Sequence, residues 1–327
     1  MKGAFKKVLI TGGLGFIGSA LIRKLLLETN LKILNIDKVS YASDPYSVNS
    51  LFENNKGTFK NRYSFSKIDL LNREELKNAI FDFKPNLVMH LAAETHVDQS
   101  ITSPHKFVMS NILGTSNLLE NLNEYFANLS SKEKKIFRLI HVSTDEVFGS
   151  LETIHGKFSE DSPYQPNSPY SASKAASDHL VRAWSKTYNF PSIITNCSNN
   201  FGPWQFSEKL IPLTIIKCLN KESIPIYGNG MNVRDWIYVE DHVNALIKCA
   251  YYGDVDTSYC IGGNNEISNI DLVERICSLL DLKIPWEKSY KSLITFVDDR
   301  AGHDYRYSID NTKIKNQLKW EPIFSKP

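Results

Sequence analysis

The stretch Lys7-Val8-Leu9-Ile10-Thr11-Gly12-Gly13-Leu14-Gly15-Phe16-Ile17-Gly18 constrains this chain more than any other. A short β-type run passes at once into a glycine turn, and apolar residues then recur at helical spacing at Ile17, Leu21 and Leu25. Strand, glycine turn and helix in that order make a phosphate-binding unit. Glycine lets the backbone turn sharply and approach a pyrophosphate, while the helix start offers free N–H groups and a positive dipole end. A second strand over 32–36 ends at Asp37, about twenty residues beyond the glycines, where a carboxylate can accept hydrogen bonds from the adenosine ribose. That acid favours NAD over NADP, and the neighbouring Lys38 weakens the preference. On this reading Gly12, Gly15, Phe16, Ile17 and Gly18 cradle the dinucleotide.

The pattern then repeats. A strand over 63–68 ends at Asp69-Leu70, where the adenine rim is expected, and a helix covers 74–83. A strand over 87–91 closes on Leu91, with Ala92 and Ala93 behind it, small enough for a cofactor to pass close by. Glu94-Thr95-His96 follows at a strand's carboxyl end and so faces the same cleft. A long helix is expected over 104–126, a strand over 137–143, a helix over 170–188 and a strand over 192–195. Strand and helix in such alternation specify an α/β fold, a doubly wound parallel sheet of Rossmann-like type. Beyond Pro203 the alternation fades into a helix opening near 208, a strand over 224–227, a glycine turn and a helix over 271–282. We expect a smaller mixed α/β substrate-binding lobe there. The NAD-binding domain is expected over 1–202 with returning segments near 236–263, and the lobe over 203–235 and 264–327.

Composition narrows the partners. A net charge of +2 with no basic cluster argues against nucleic acid. The five cysteines are scattered without a Cys-x-x-Cys pair, as free thiols in a reducing compartment would be. Lys6-Lys7 and the uncharged run behind it loosely mimic a secretory leader, but four glycines interrupt that run and Arg23 closes it. No uncharged run reaches the roughly 18 residues a membrane span requires, so a cytoplasmic protein is expected.

The chemistry concentrates at 138–149. An apolar strand containing Ile140 and Val142 runs into Thr144-Asp145-Glu146. Unpaired buried carboxylates are costly, so these groups should line a polar cleft at the strand's end. Tyr170 and Lys174, four apart on one helix face, add a phenol beside an ammonium. Ser/Thr, Tyr and Lys beside NAD suit hydride transfer at a secondary alcohol, as in a dehydrogenase or epimerase. The phenol must surrender its proton near neutral pH, and Lys174 with the positive nicotinamide is expected to supply the stabilising charge. Asp145 and Glu146 add an acid and a base, enough for dehydration once oxidation has acidified the neighbouring C–H, with no metal required. The polar run Asn196 to Asn200 should also face the cleft. Arg234 and Arg300 read equally as clamps for a substrate diphosphate or as surface salt bridges.

At these residues the chain resembles the extended short-chain dehydrogenase/reductases and, within them, the dTDP-glucose 4,6-dehydratase family. The resemblance spans nearly the whole chain. The glycine turn and Tyr170-Ser171-Ala172-Ser173-Lys174 mark the superfamily, while Thr144-Asp145-Glu146, Asn232-Val233-Arg234-Asp235-Trp236 and Arg300-Ala301-Gly302-His303 are specific to the dehydratases. It implies an intramolecular redox cycle on a nucleoside-diphosphate hexose. Tyr170 would take the O4 proton with Thr144 beside it, Glu146 the C5 proton, and Asp145 would protonate the leaving C6 hydroxyl. Thr95, Thr144, Asn199, Lys209, Leu210, Pro225, Tyr227, Arg234, Asn269, Arg300 and His303 match positions that hold the nucleotide-sugar. Ser110, Thr95 and Asn200 match cofactor-contacting positions. A homodimer joined by helices 104–126 and 170–188 is also implied. The family usually has Arg where Gln99 stands, Tyr at Phe148 and Pro at Ala301, and its members continue through another helix after Trp320-Glu321-Pro322. The short tail here is expected to reflect truncation or a dispensed element. The rival readings are a nucleotide-sugar 4-epimerase, a UDP-sugar dehydratase and a non-catalytic NAD sensor.

Overall fold

Neighbouring residues of the first strand belong to different apolar cores, and this sets the layering. Val8 and Ile10 join one buried cluster while Leu9 joins another. The same split separates Ile33 from Leu34, Met89 from Val88, Ile140 from Leu139 and Ile193 from Ile194. Successive side chains of a strand point to opposite faces, so strands apolar on both must be covered on both. The computed structural model, which describes residues 5–54 and 59–324, meets that demand with helices on each side of a parallel sheet. The short tail ends in residues 325–327, which lie outside the described residues.

The strands in chain order are β1 (Lys7–Thr11), β2 (Lys32–Asp37), β3 (Tyr63–Lys67), β4 (Leu87–His90), β5 (Arg138–Thr144), β6 (Ser192–Cys197), β7 (Asn199–Phe201), β8 (Ile224–Tyr227), β9 (Val233–Tyr238), β10 (Thr257–Ile261), β11 (Glu266–Ser268) and β12 (Ile294–Val297). Seven of them form the main sheet in the order β10-β6-β5-β4-β1-β2-β3, every pair parallel. The order reverses between β1 and β4, and ligands of such sheets bind in the crevice at that switch point. Gly12 is why the two strand ends can meet there. Its φ is +73°, and a Cβ on it would lie 2.6 Å from the Ala92 backbone nitrogen. The smaller lobe carries a sheet in the order β11-β9-β7 and the pair β12-β8. Its own core gathers Cys218, Ile224, Ile226, Val273, Cys277 and Tyr290.

Two elements depart from expectation. The long helix over 104–126 is instead a short turn of helix at Pro104–Phe107, a π-helical segment at Val108–Leu113 and a helix at Gly114–Ala127. The wider turn brings Asn111 inward, where it exchanges hydrogen bonds with the Glu94 backbone at 2.8 and 3.0 Å and donates to Ser173 Oγ at 2.9 Å. The final helix, Thr312–Leu318, belongs by sequence to the small lobe, yet Ile314, Leu318 and Trp320 pack into the large core.

Candidate active site

The strand ends surround a cavity of about 300 Å³. Gly12, Gly15, Phe16, Ile17 and Gly18 line it from the β1 turn, Asp37 and Lys38 from β2, and Asp69 and Leu70 from β3. Leu91, Ala92, Ala93 and Thr95 come from the β4 turn and Ser110 from the π segment. Thr144, Asp145, Glu146, Tyr170, Lys174, Asn199, Asn200 and Lys209 complete the other end. Sequence reasoning passed over Ser40, Ser143, Phe206 and Glu208, which line it too, while Cys197 lines it from the run expected to face the cleft. Glu208 sits beside Lys209 and carried no pattern of its own.

The residues fit a dinucleotide. The helix Phe16–Glu28 begins at Gly15 without a side-chain cap, leaving its positive end to whatever fills the cavity. Gly18 is closed to any side chain, since a Cβ would lie 2.2 Å from the Gly12 carbonyl oxygen, whereas one on Gly15 would meet that oxygen only at 3.3 Å. Asp37 is buried and accepts from Leu14 N–H at 3.0 Å, Val39 N–H at 2.8 Å and Ser43 Oγ at 3.0 Å. It therefore holds both turns that frame the adenosine end. Lys38 is tied down, with Nζ 2.5 Å from Glu94 Oε1 and 3.5 Å from Ser110 Oγ.

At the other end Asp145 is fully buried with Oδ2 unpartnered, and Glu146 lies beside it. Burial pushes the Asp145 carboxyl well above its usual range, and the Glu146 and Asp235 charges add to that against Arg234. Burial raises Glu146 too, but Arg300, Arg234 and Lys209 hold the shift back. Both adjacent carboxyls thus titrate above their usual range, Asp145 the further, while three cations oppose the rise at Glu146. Burial drives the Tyr170 phenol well above 10, Glu146, Cys197 and Asp145 add to that, and a hydrogen bond with Thr144 opposes it. Lys174 donates to the Val142 carbonyl at 2.9 Å; burial lowers its pKa and Asp178 works against that.

Asp178, one turn further along the helix Pro169–Tyr188, anchors the cavity floor. Its Oδ2 accepts from Ser143 Oγ at 2.7 Å, Tyr164 OH at 2.9 Å and Asn196 Nδ2 at 3.3 Å. His141 Nε2 lies 3.0 Å from Oδ1 but off the line of a good hydrogen bond. Asn196 also donates to the Thr144 carbonyl at 3.2 Å, so β5 and β6 are pinned where the reactive residues begin.

The small-lobe candidates stand outside the cavity wall. Arg234 is buried, donates to the carbonyls of Val233, Asp304 and Tyr305, and lies 4.4 Å over the Tyr307 ring. Arg300 has a buried, unpartnered Nε and only a loose contact, 3.7 Å, with Asp98. Among the described residues Arg234 forms no surface salt bridge, Arg300 forms only the loose one with Asp98, and both bear on Glu146. His303 Nδ1 is 2.6 Å from Asp299 and its ring meets Tyr227 edge-on. On β8 the buried Ile224 and Ile226 alternate with Pro225 and Tyr227, which share the exposed face. Leu210 and Asn269 each open a helix and are half-buried. The departures at 148 and 301 cost little: Phe148 stacks on Phe158 in an apolar cluster, and Ala301 is exposed in a turn.

Residues 9–326 match the family model described as GDP-mannose 4,6 dehydratase. The dTDP-glucose 4,6-dehydratase of Neisseria meningitidis serogroup B is 48% identical over 97% of this chain and 89% of that protein. The Escherichia coli K12 dTDP-glucose 4,6-dehydratase 1 is 48% identical over 97% and 88%. Among solved structures, DesIV from Streptomyces venezuelae, a dTDP-glucose 4,6-dehydratase with NAD bound, superposes with a TM-score of 0.87 at 35% identity, covering 97% of this chain and 92% of that one. The Bacillus anthracis dTDP-glucose 4,6-dehydratase in complex with NAD gives 0.84 at 39% identity, covering 98% and 92%. On a likeness of that extent, the chain belongs to the dTDP-glucose 4,6-dehydratase family of the extended short-chain dehydrogenase/reductases.

Proposed function

We infer that this protein is an NAD-dependent hydro-lyase that converts dTDP-glucose to its 4-keto-6-deoxy product. One observation carries the reading: the Asp145 and Glu146 carboxyls open into the same cavity as the Tyr170 phenol. Bound NAD supplies a hydride acceptor at C4, a donor at C6 and a positive ring near the phenol. Tyr170, beside Thr144, takes the O4 proton; its phenol is raised by burial, and NAD, when bound, would supply positive charge that opposes the rise. Glu146, whose rise three cations oppose, removes the C5 proton. Asp145, the carboxyl that burial raises further, delivers a proton to the departing C6 hydroxyl. Arg234, Arg300 and Lys209 face the substrate diphosphate, with His303, Tyr227, Pro225, Asn269, Leu210, Asn199 and Thr95 around the rest of the nucleotide-sugar. A 4-epimerase has no task for the acid pair.

The division proposed has the large sheet binding NAD and the smaller lobe the sugar nucleotide; the cavity at the strand ends supports it, while Ile314, Leu318 and Trp320 of the expected lobe pack with the large core. We also propose a homodimer through the helices around 104–127 and 169–188, where Ile101, Val108, Leu113 and Tyr188 are exposed apolar groups. A cytoplasmic location suits five free cysteines, all buried. No helix among the described residues is long and apolar enough to cross a membrane. Incubation with dTDP-glucose, followed by alkali, should develop the absorbance of a 4-keto sugar. A 4-epimer in its place refutes the dehydratase reading.

A further inference from the structure

The rim of the groove holds contacts that the chemistry above leaves unused. Tyr41 stands in the turn after β2, between Ser40 and Ala42, both of which line the cavity. Across the opening, Phe206 and Glu208 belong to the segment that follows β7 and line the same space. The Tyr41 hydroxyl donates to Glu208 Oε1 at 3.1 Å, and its ring meets Phe206 edge-on at 5.5 Å. Tyr46 meets Trp204 at 5.8 Å, and the Arg23 guanidinium lies 5.9 Å from the same indole. The β4 turn joins in, since His96 Nε2 lies 3.4 Å from Glu208 Oε2 and Lys209 Nζ donates to the Thr95 carbonyl at 3.1 Å. Gln99, where the family usually has arginine, hydrogen-bonds the Tyr41 phenol.

These contacts form a bar across the groove. Asp37 and Asp69 stand at one end of the cavity and Tyr170, Lys174 and Cys197 at the other. A dinucleotide reaching from one end to the other must run between the glycine turn and the bar. We propose that residues 204–209 are a latch that closes over the bound dinucleotide and retains it through the cycle, with Tyr41 and Glu208 as its fastening. The proposal rests on reading this groove as the NAD site. It suits a reaction that returns its hydride, because such an enzyme gains nothing by releasing the cofactor between turnovers.

The test uses holoenzyme. Tyr41→Phe removes the donor of this hydrogen bond and Glu208→Leu its acceptor, and both leave the backbone of the cavity walls in place. NAD is loaded, and its dissociation is followed by stopped flow after addition of excess ADP-ribose as competitor. Each variant should release NAD about five-fold faster than the parent, the factor expected from one hydrogen bond of about 1 kcal/mol. Turnover of Tyr41→Phe, whose side chain lies outside the cavity lining, should stay within about two-fold of the parent at saturating NAD and dTDP-glucose. Unchanged release rates overturn the latch, as does a large loss of turnover without faster release, which would place Glu208 in the chemistry. A parent protein that binds no NAD would instead refute the site reading itself, so the two failures are distinguishable.

Discussion

Replacing Asp178 should cost this protein a large part of its stability, by an amount that depends on what replaces it. Its Oδ2 accepts three donors, from the buried Ser143 and Asn196 and the half-buried Tyr164, and its Oδ1 faces the buried His141. An unsatisfied buried donor costs about 1–3 kcal/mol, and stripping a buried charge from its partners about 3–5 kcal/mol. Asp178→Ala abandons all the donors at once. We expect a loss of about 4 kcal/mol, a substantial share of the roughly 5–15 kcal/mol that holds a domain folded. Asp178→Asn keeps one oxygen for the three donors and turns its amide toward His141, whose buried ring is neutral at pH 7 because burial lowers its pKa. About half the loss should return. Urea unfolding monitored by tryptophan fluorescence measures both. An alanine variant within about 1 kcal/mol of the parent, or an asparagine variant as damaged as the alanine one, refutes the reasoning.

Asp145→Asn should stabilise the ligand-free protein at neutral pH. The Asp145 carboxyl titrates well above its usual range in the folded state, so the native protein keeps a proton that the unfolded chain releases. Stability from that source falls as pH rises above about 4. The variant should therefore gain over the parent in thermal unfolding at pH 7 and match it near pH 4; a gain of equal size at both values contradicts this. Gly18→Ala should abolish NAD binding by calorimetric titration, because its Cβ would sit 2.2 Å from the Gly12 carbonyl oxygen and 2.8 Å from Gly13 Cα. Gly15→Ala should fold normally yet bind NAD more than ten-fold weaker, since its Cβ would stand in the cavity mouth. Glu146→Gln should stop solvent hydrogen exchange at C5 while leaving transient NADH absorbance; loss of both would make Glu146 a positioning group.

How much of this was readable before the structure depends on the kind of signal. The β1 turn, β2 and the acid at its end were legible because strand, glycine and helix each carry a local pattern. Asp145 and Glu146 stood out because they interrupt an apolar strand. The π segment was invisible, since a turn wider by one residue leaves helical apolar spacing nearly unchanged over so short a stretch. Asp178 was passed over for a different reason. A single acid inside a polar helix reads as solvated, and only the fold brings Ser143, Tyr164 and Asn196 to it. The bond from Lys174 to the Val142 carbonyl was not legible either, because spacing places Lys174 on the face of Tyr170 without showing where its ammonium turns.

The path of the chain after β7 limits how the smaller lobe can move or be separated. It departs from the main sheet, comes back for β10 and the helix Val239–Tyr252, departs again, and returns with Thr312–Leu318 and Trp320 seated in the large core. The lobe is thus stitched to its host at several places, unlike a module strung on a single linker. Any opening that admits a sugar nucleotide must be a modest rocking about those seams. A fragment cut out around 203–311 would keep the Cys218–Tyr290 core while losing every anchor that orients it, and should not persist as a folded piece.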